Sequence, residues 1–424
     1  MEYRDRGQGL DRWHEQIREV ELFARNCPDY FEKHTEEYFS FRNSPGSNAR
    51  LGLSEGNDGR RYVIYRQGDG RLGELSSTGD NEDWIRSVIR VEGGFALAEG
   101  RPFVYSLKPG NRRILYRGQD GHLYELSEPG GGGEGIWGKR DLTSQLQLPI
   151  ASSDPTAVVA MGTLHIAFVD QSARPWEVWL EPNGVWRSHP LPTSPRPASE
   201  VSIAAAASGL YVAYRTMFNV PCVQTVPWDA VAERRRPWRH RLTQRVPCQG
   251  QPVGSDAGGT WRIIFRPIPE WPLREPFIFH WDNGRGYREY SGSCDGLMQG
   301  VAARHRFQAL DLIGEPTTGA TSDPIALADV SGKQHYLAYV DAVGHLQEAH
   351  WIEPSGADPG KGSWRLTDLM KLSGAPLAEG EPAGLVSRWA SGRYYVYRGR
   401  DGSLHELRFD GRWRHRNLSA VASD

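Results

Sequence analysis

The chain is poor in the features that usually announce a function. It holds four cysteines in 424 residues, at 27, 222, 248 and 294, too few for a disulfide framework. Cys222 and Cys248 are close enough in sequence to bridge a hairpin, but two free buried thiols is the preferred reading. No apolar run approaches the roughly 20 residues of a membrane span. The opening residues, MEYRDRGQGLDRWHEQ, lack the apolar core of a secretory leader. Cytoplasmic synthesis is therefore expected, with release by a non-classical route left open. The formal net charge is only −2, so the cationic excess that neutralises phosphates is missing and nucleic acid is not an expected partner. The basic cluster ERRRPWRH, Glu233–His240, reads as a solvated loop.

Signatures of catalysis and of cofactor binding are missing too. There is no H-E-x-x-H and no P-loop. HLQEAH, His345–His350, has the wrong spacing for a zinc pair on a helix and reads as a strand. GGGG at Gly130–Gly133 reads as a hairpin connection, since no Lys-Ser/Thr and helix follow to cradle a phosphate. No metal or cofactor is expected.

What the chain has is aromatics, turns and repetition. Trp 15, Tyr 17 and Phe 13 supply a sizeable core. Gly 48, Pro 28 and a mean hydropathy of −0.57 point to many turns and much surface. An aromatic that ends a strand recurs at Tyr65, Tyr116, Phe168, Tyr214, Phe265, Tyr339 and Tyr397, at gaps of 51, 52, 46, 51, 74 and 58 residues. Each unit repeats one internal order. A Pro-led segment of small residues comes first (SDPTAVVA, TSDPIALA, EGEPAGLV), then the aromatic strand (TLHIAFVD, GLYVAYR, QHYLAYVD). A strand often ending in Glu or an aromatic follows (HLYELS, WEVWLE, SLHELR). Last comes a Trp-bearing strand that often closes on Asp-Leu or a similar pair (IWGKRDLT, SWRLTDLM, RWRHRNLS).

Four short strands in each of seven such units predict an all-β fold, a seven-bladed β-propeller of four-stranded blades over residues 46–424. Residues 1–45 fall outside the repeat. LDRWHEQIREVELFARN spaces Trp13, Ile17, Val20 and Phe23 nearly helically, so a short helical N-terminal arm is predicted. The surplus of unit five lies in residues 282–305, between EPFIFHW and RFQALDLI.

The strongest local signal is a sentence written three times: YVIYRQGDGRLGELS from Tyr62, ILYRGQDGHLYELS from Ile114 and YVYRGRDGSLHELR from Tyr395. A three-residue loop with a left-handed Gly121 would place Arg117 opposite Leu123 and Leu115 opposite Glu125. Alternation along strands then puts Arg117 and Glu125 on one face, and likewise Arg66 with Glu74 and Arg398 with Glu406. Two readings stay open. The pairs are structural ion pairs, or they are sugar sites in which Arg donates to hydroxyls and Glu accepts from them, with Trp84, Trp137 or Trp413 as a wall for the ring.

The pattern YRGxDGxLxEL…W…DLT resembles the repeats of the fucose-specific-lectin-like β-propellers, over roughly residues 49–418. That resemblance implies a lectin whose glycan or glycoconjugate ligands, possible fucose among them, are held by the Arg and Glu of one blade and stacked on aromatics. Carried over, it gives Arg66, Glu74, Trp84, Arg117, Glu125, Trp137, Arg398, Glu406 and Trp413 as ligand-binding residues. Val169 and Val340 stand where the Arg belongs, though Glu177 and Glu348 persist; the units with Arg215 and Arg266 lack the Glu. Ring closure would make the three complete units neighbours, suiting multivalent capture.

An enzyme is the less favoured class. Asp154, Asp256 and Asp323 recur before Pro or Ala as turn residues do, and the S-x-D-x-G-x-T-W signature of sialidase propellers is absent. The alternative to a lectin is a protein-interaction scaffold with vestigial sugar sites, using the N-terminal arm or the 282–305 insertion as its contacts.

Overall fold

In the computed structural model the chain is described over residues 51–421, except 57–58, 78–82, 109–110, 129–134, 192–195, 207–208, 217–220, 228–238, 243–247, 258–259, 268–276, 283–306, 310–311, 314–321, 329–333, 353–362 and 388–391. The arm expected at 1–45, the glycine run at 130–133 and nearly all of the 282–305 insertion lie outside the described residues.

The described strands form antiparallel sheets of four consecutive strands each. Sheet 1 comprises Leu51–Glu55, Arg61–Arg66, Leu72–Ser77 and Trp84–Val88; sheet 2 comprises Phe103–Lys108, Asn111–Arg117, Leu123–Ser127 and Ile136–Asp141. Sheet 3 runs from Thr156–Ala160 to Trp186–Pro190, sheet 4 from Pro197–Ala206 to Arg239–Leu242, and sheet 5 from Cys248–Ala257 to Phe307–Ala309. Sheet 6 runs from Ile325–Ala328 to Ser363–Asp368, and sheet 7 from Ala378–Val386 to Trp413–Asn417. The leading strand of each sheet touches the leading strand of the next, and that of sheet 7 touches that of sheet 1. The architecture is an all-β propeller of four-stranded blades.

Two sheets carry a fifth, parallel strand at the outer edge. Arg90–Val91 leaves sheet 1 and pairs with Ile136–Trp137 of sheet 2. RFQALDLI divides in the same way: Phe307–Ala309 stays in sheet 5 and Leu312–Ile313 crosses to sheet 6.

The repeated aromatic is core. Tyr116, Phe168, Tyr214 and Tyr397 are fully buried, because each lies in an apolar cluster between one sheet and the next. The closing Asp-Leu pair has a local cause. Asp141 and Asp368 cap the helices α1 (Leu142–Leu146) and α2 (Leu369–Ser373), accepting from the backbone N–H of Ser144 and Lys371. Asn417 does the same for α3 (Leu418–Val421), accepting from Ala420 N–H. The Leu that follows each cap is fully buried. Cys222 is a free, buried thiol whose pKa burial pushes up to about 12.

The hairpin register is the one expected. Leu115 faces Glu125 and Arg117 faces Leu123. Gly118 N–H donates to His122 O at 2.8 Å, Gly121 sits at φ 78°, and Asp120 Oδ1 accepts from His122 N–H.

Candidate functional site

The acids of the third strands are buried without exception among the described copies: Glu74, Glu125, Glu177, Glu348 and Glu406 are all at most 6% exposed. A carboxylate at that depth needs a cation or strong donors. The expected partners do not supply them. Arg117 turns away from Glu125 to Glu99 (2.6 Å) and Asp154 (3.2 Å). Arg66 donates from Nε to Ala98 O at 2.7 Å, and the buried Nε of Arg398 has no hydrogen-bond partner. The same-face prediction holds, yet a two-residue offset along the hairpin sends Arg66 and Arg117 to the loops that precede sheets 2 and 3. The pairs Arg66/Glu74, Arg117/Glu125 and Arg398/Glu406 are therefore not assembled.

At three seams the cation comes from the next sheet. Arg112 of sheet 2 meets Glu74 of sheet 1 at 2.9 Å, Arg393 of sheet 7 meets Glu348 of sheet 6 at 3.0 Å, and Arg61 of sheet 1 meets Glu406 of sheet 7 at 3.3 Å. Arg393 binds Glu348 with a two-pronged grip, Nε to Oε2 and Nη2 to Oε1, and Tyr395 Oη adds a donor at 2.6 Å. At the other two the charges adjoin, but no aligned hydrogen bond joins those atoms. Burial pushes the Glu74, Glu348 and Glu406 carboxyls up, against the pull of the nearby guanidinium groups.

Each of these guanidinium groups is sandwiched by rings. Arg112 lies 3.7 Å from the Tyr62 centroid and 5.1 Å from Trp137; Arg61 lies 4.1 Å from Tyr394 and 5.4 Å from Trp84. Arg393 is 4.3 Å from Tyr336 and 5.3 Å from Trp413. Such stacking is favourable by about 0.5–2 kcal/mol each. The Trp walls expected to stack on sugar are thus occupied by arginine. At these seams the Glu is buried, with Trp84 and Trp137 buried and Trp413 half-buried beside the arginines. The signal was in the sequence: RYVIYR, RRILYR and RYYVYR each place an Arg four residues before the aromatic.

The seam between sheets 2 and 3 differs, because the plug position there is Leu164, fully buried. Glu125 instead draws its partners from its own sheet: Arg113 at 2.9 Å, Arg140 at 3.3 Å and the Tyr105 hydroxyl, which donates to Oε1. Arg113 faces Ser127 and Leu115 faces Glu125, so Arg113 and Glu125 share a face. Tyr105 and Trp186 belong to the apolar cluster at this seam. Trp186 is 7% exposed and its Nε1–H has no hydrogen-bond partner. Of these partners Arg140 is the most exposed, its side chain 44% exposed. In sheet 3, where Leu210 replaces the plug of the next sheet, Glu177 is met by His165 at 3.0 Å and His189 at 3.6 Å. Among the described residues no group of acids, histidines and cysteines is placed to hold a metal, and no helix is long and apolar enough to cross a membrane.

No protein-family model and no curated protein matches the chain. Solved structures do. The BP39L lectin from Burkholderia pseudomallei superposes with a TM-score of 0.59 at 12% identity, over 88% of this chain and 99% of that one. AofleA from Arthrobotrys oligospora gives 0.50 at 11%, over 88% and 87%. The fold is that of the β-propeller lectins. The fucose-specific lectin from Aleuria aurantia also matches, with a TM-score of 0.45 at 13% identity over 76% of this chain and 95% of that one, too far in backbone to carry anything further.

Proposed function

We propose that the protein is a carbohydrate-binding propeller lectin, with its best-formed sugar site at the seam between sheets 2 and 3. The observation that carries this is the Arg113–Glu125 pair on one blade face, at the seam whose apolar cluster includes Trp186 with its unpartnered indole N–H. A sugar hydroxyl both donates and accepts. It can take a bond from Arg113 or Arg140, give one to Glu125, and satisfy a buried donor that otherwise costs about 1–3 kcal/mol. The solved BP39L structure is of a lectin, which supports the reading. Of the residues expected from sequence, Glu125 keeps a ligand role on this proposal, while Arg113 replaces Arg117. Binding, not catalysis, is the activity proposed, and seven blades in a single closed ring is the architecture proposed, supported by the contact between the first and last leading strands.

The second reading, a protein-interaction scaffold with vestigial sites, is favoured by the three arginine-plugged seams. Glycan-array screening followed by titration separates the two. The lectin reading expects saturable binding to a saccharide, lost by at least tenfold in Arg113→Ala and kept in Arg117→Ala. Binding that survives Arg113→Ala and disappears with Arg117→Ala would return the site to the other arginine. No saccharide binding at all would leave the scaffold.

A further inference from the structure

We infer that Arg140 makes the seam between sheets 2 and 3 select a carboxylate-bearing saccharide, whose acid group docks on the outward edge of its guanidinium; this rests on the lectin reading and names a ligand class for the same site. Arg140 stands opposite Glu125 on the outer strand of sheet 2. It gives that acid one hydrogen bond, from Nη1 to Oε2 at 3.3 Å. Among the described residues it has no other partner, so Nε and Nη2 are unused. The side chain is 44% exposed.

The unused edge is the one that holds an acid elsewhere in this protein. Arg393 grips Glu348 through Nε and Nη2 together, at 3.0 and 3.1 Å. A guanidinium presents its N–H groups in one fixed plane. The same edge of Arg140 therefore fits a second carboxylate while Nη1 stays on Glu125. Sheet 3 brings no acid to that edge. Its outer strand turns Trp186, Ser188 and Pro190 toward sheet 2, because Trp186 and Ser188 oppose Leu180 and Val178 in the cluster of this seam.

A second cation is not a general requirement of the buried acid. Glu125 already accepts from Arg113 Nη1 at 2.9 Å and from the Tyr105 hydroxyl, both on Oε1. The residue opposite the acid is Ser87 in sheet 1 and Thr367 in sheet 6, where Glu74 and Glu348 each meet one arginine from the next sheet. It is charged or titratable in sheets 7 and 3, as Arg416 and His189. In sheet 2, two guanidinium groups meet one carboxylate, an excess of one positive charge at a site open to solvent through Arg140. Arg112 does not add to it, being held between Glu74 and Glu128. A ligand carboxylate cancels the excess through charge-assisted bonds, roughly twice as strong as those a neutral hydroxyl can make.

The experiment is calorimetric titration of the full chain with a galacturonate oligomer, a neutral galactose oligomer of the same length, sodium acetate and a glutamate oligomer. The variants are Arg140→Thr, which installs the residue of sheet 6, and Arg140→Lys, which keeps the charge without the fork; the thermal midpoint of each shows that it is folded. Arg71→Ala removes an equal charge elsewhere on the surface. Expected is a preference for galacturonate over galactose of about tenfold or more that shrinks with added salt. Arg140→Thr should abolish that preference and leave galactose binding in place, Arg140→Lys should keep only part of it, and Arg71→Ala should keep all of it. Galacturonate and galactose bound alike, or a preference that survives Arg140→Thr, overturns the inference; saccharide binding that is still lost in Arg113→Ala would then keep the lectin reading. Acetate bound as tightly as galacturonate overturns the saccharide assignment of this edge. Binding of the glutamate oligomer with both saccharides silent overturns the inference and the lectin reading together.

Discussion

Ala173 stands in the left-handed region at φ 56°, the position that Gly121, Gly344 and Gly402 fill in the other hairpins. An L side chain there costs about 1–2 kcal/mol, against the roughly 0.4–1 kcal/mol of chain entropy that a glycine loses on folding. Ala173→Gly is therefore expected to stabilise the protein by about 0.5–1 kcal/mol, visible as a higher denaturation midpoint; an unchanged or lower midpoint would show that the turn is not strained. Turn chemistry of this kind was legible in the sequence because it is local. Asp-Gly at 120–121 specifies its own loop, and the loop specifies which residues face each other. The partner of a buried Glu was not legible. Arg112, not Arg66, reaches Glu74, and that contact depends on how one sheet lies against the next. The recurring Arg four places before each aromatic was visible as a letter, but not as a contact.

At the scale of elements, the Asp-Leu pairs turn out to be punctuation. Burial pushes the Asp141 and Asp368 carboxyls up, yet the hydrogen bonds from Ser144 and His122, and from His345 and Lys371, outweigh it and hold both below the ordinary 3.8. The sign follows. A carboxyl whose folded value is depressed contributes its stability above 3.8 and loses it as the pH falls through the folded value. Asp368→Ala is thus expected to cost about 1–2 kcal/mol at neutral pH, and the gap from wild type should close in acid below 3.8. A gap that stays constant down to low pH would mean that the carboxylate is not what caps α2. Propeller and four-stranded blades could be read from period and order alone. The crossing of Leu312–Ile313 to a neighbouring sheet could not, because a two-residue pairing leaves no pattern.

For the whole molecule, the joint between sheets 7 and 1 decides how the circle holds. Leu51, Val63, Leu75 and Trp84 pack with Val396 and Leu418 there, Arg61 meets Glu406, and Ser387 donates to Glu55. Arg61→Ala would remove the first of the cations acting on buried Glu406 and leave it the pull of Arg408 and Arg416, at a cost of about 2–3 kcal/mol. Adding Glu406→Gln should return much of that loss. Hydrogen exchange should show protection falling in 51–88 and 378–417 together, and a loss confined to one of these segments would mean that the joint is not shared. Among the described residues, no strand of sheet 1 is woven into sheet 7 or the reverse. Over those residues the propeller is a split washer: tension applied across that joint would prise apart a face of side chains, and no ladder of backbone bonds between the two sheets would have to unzip first.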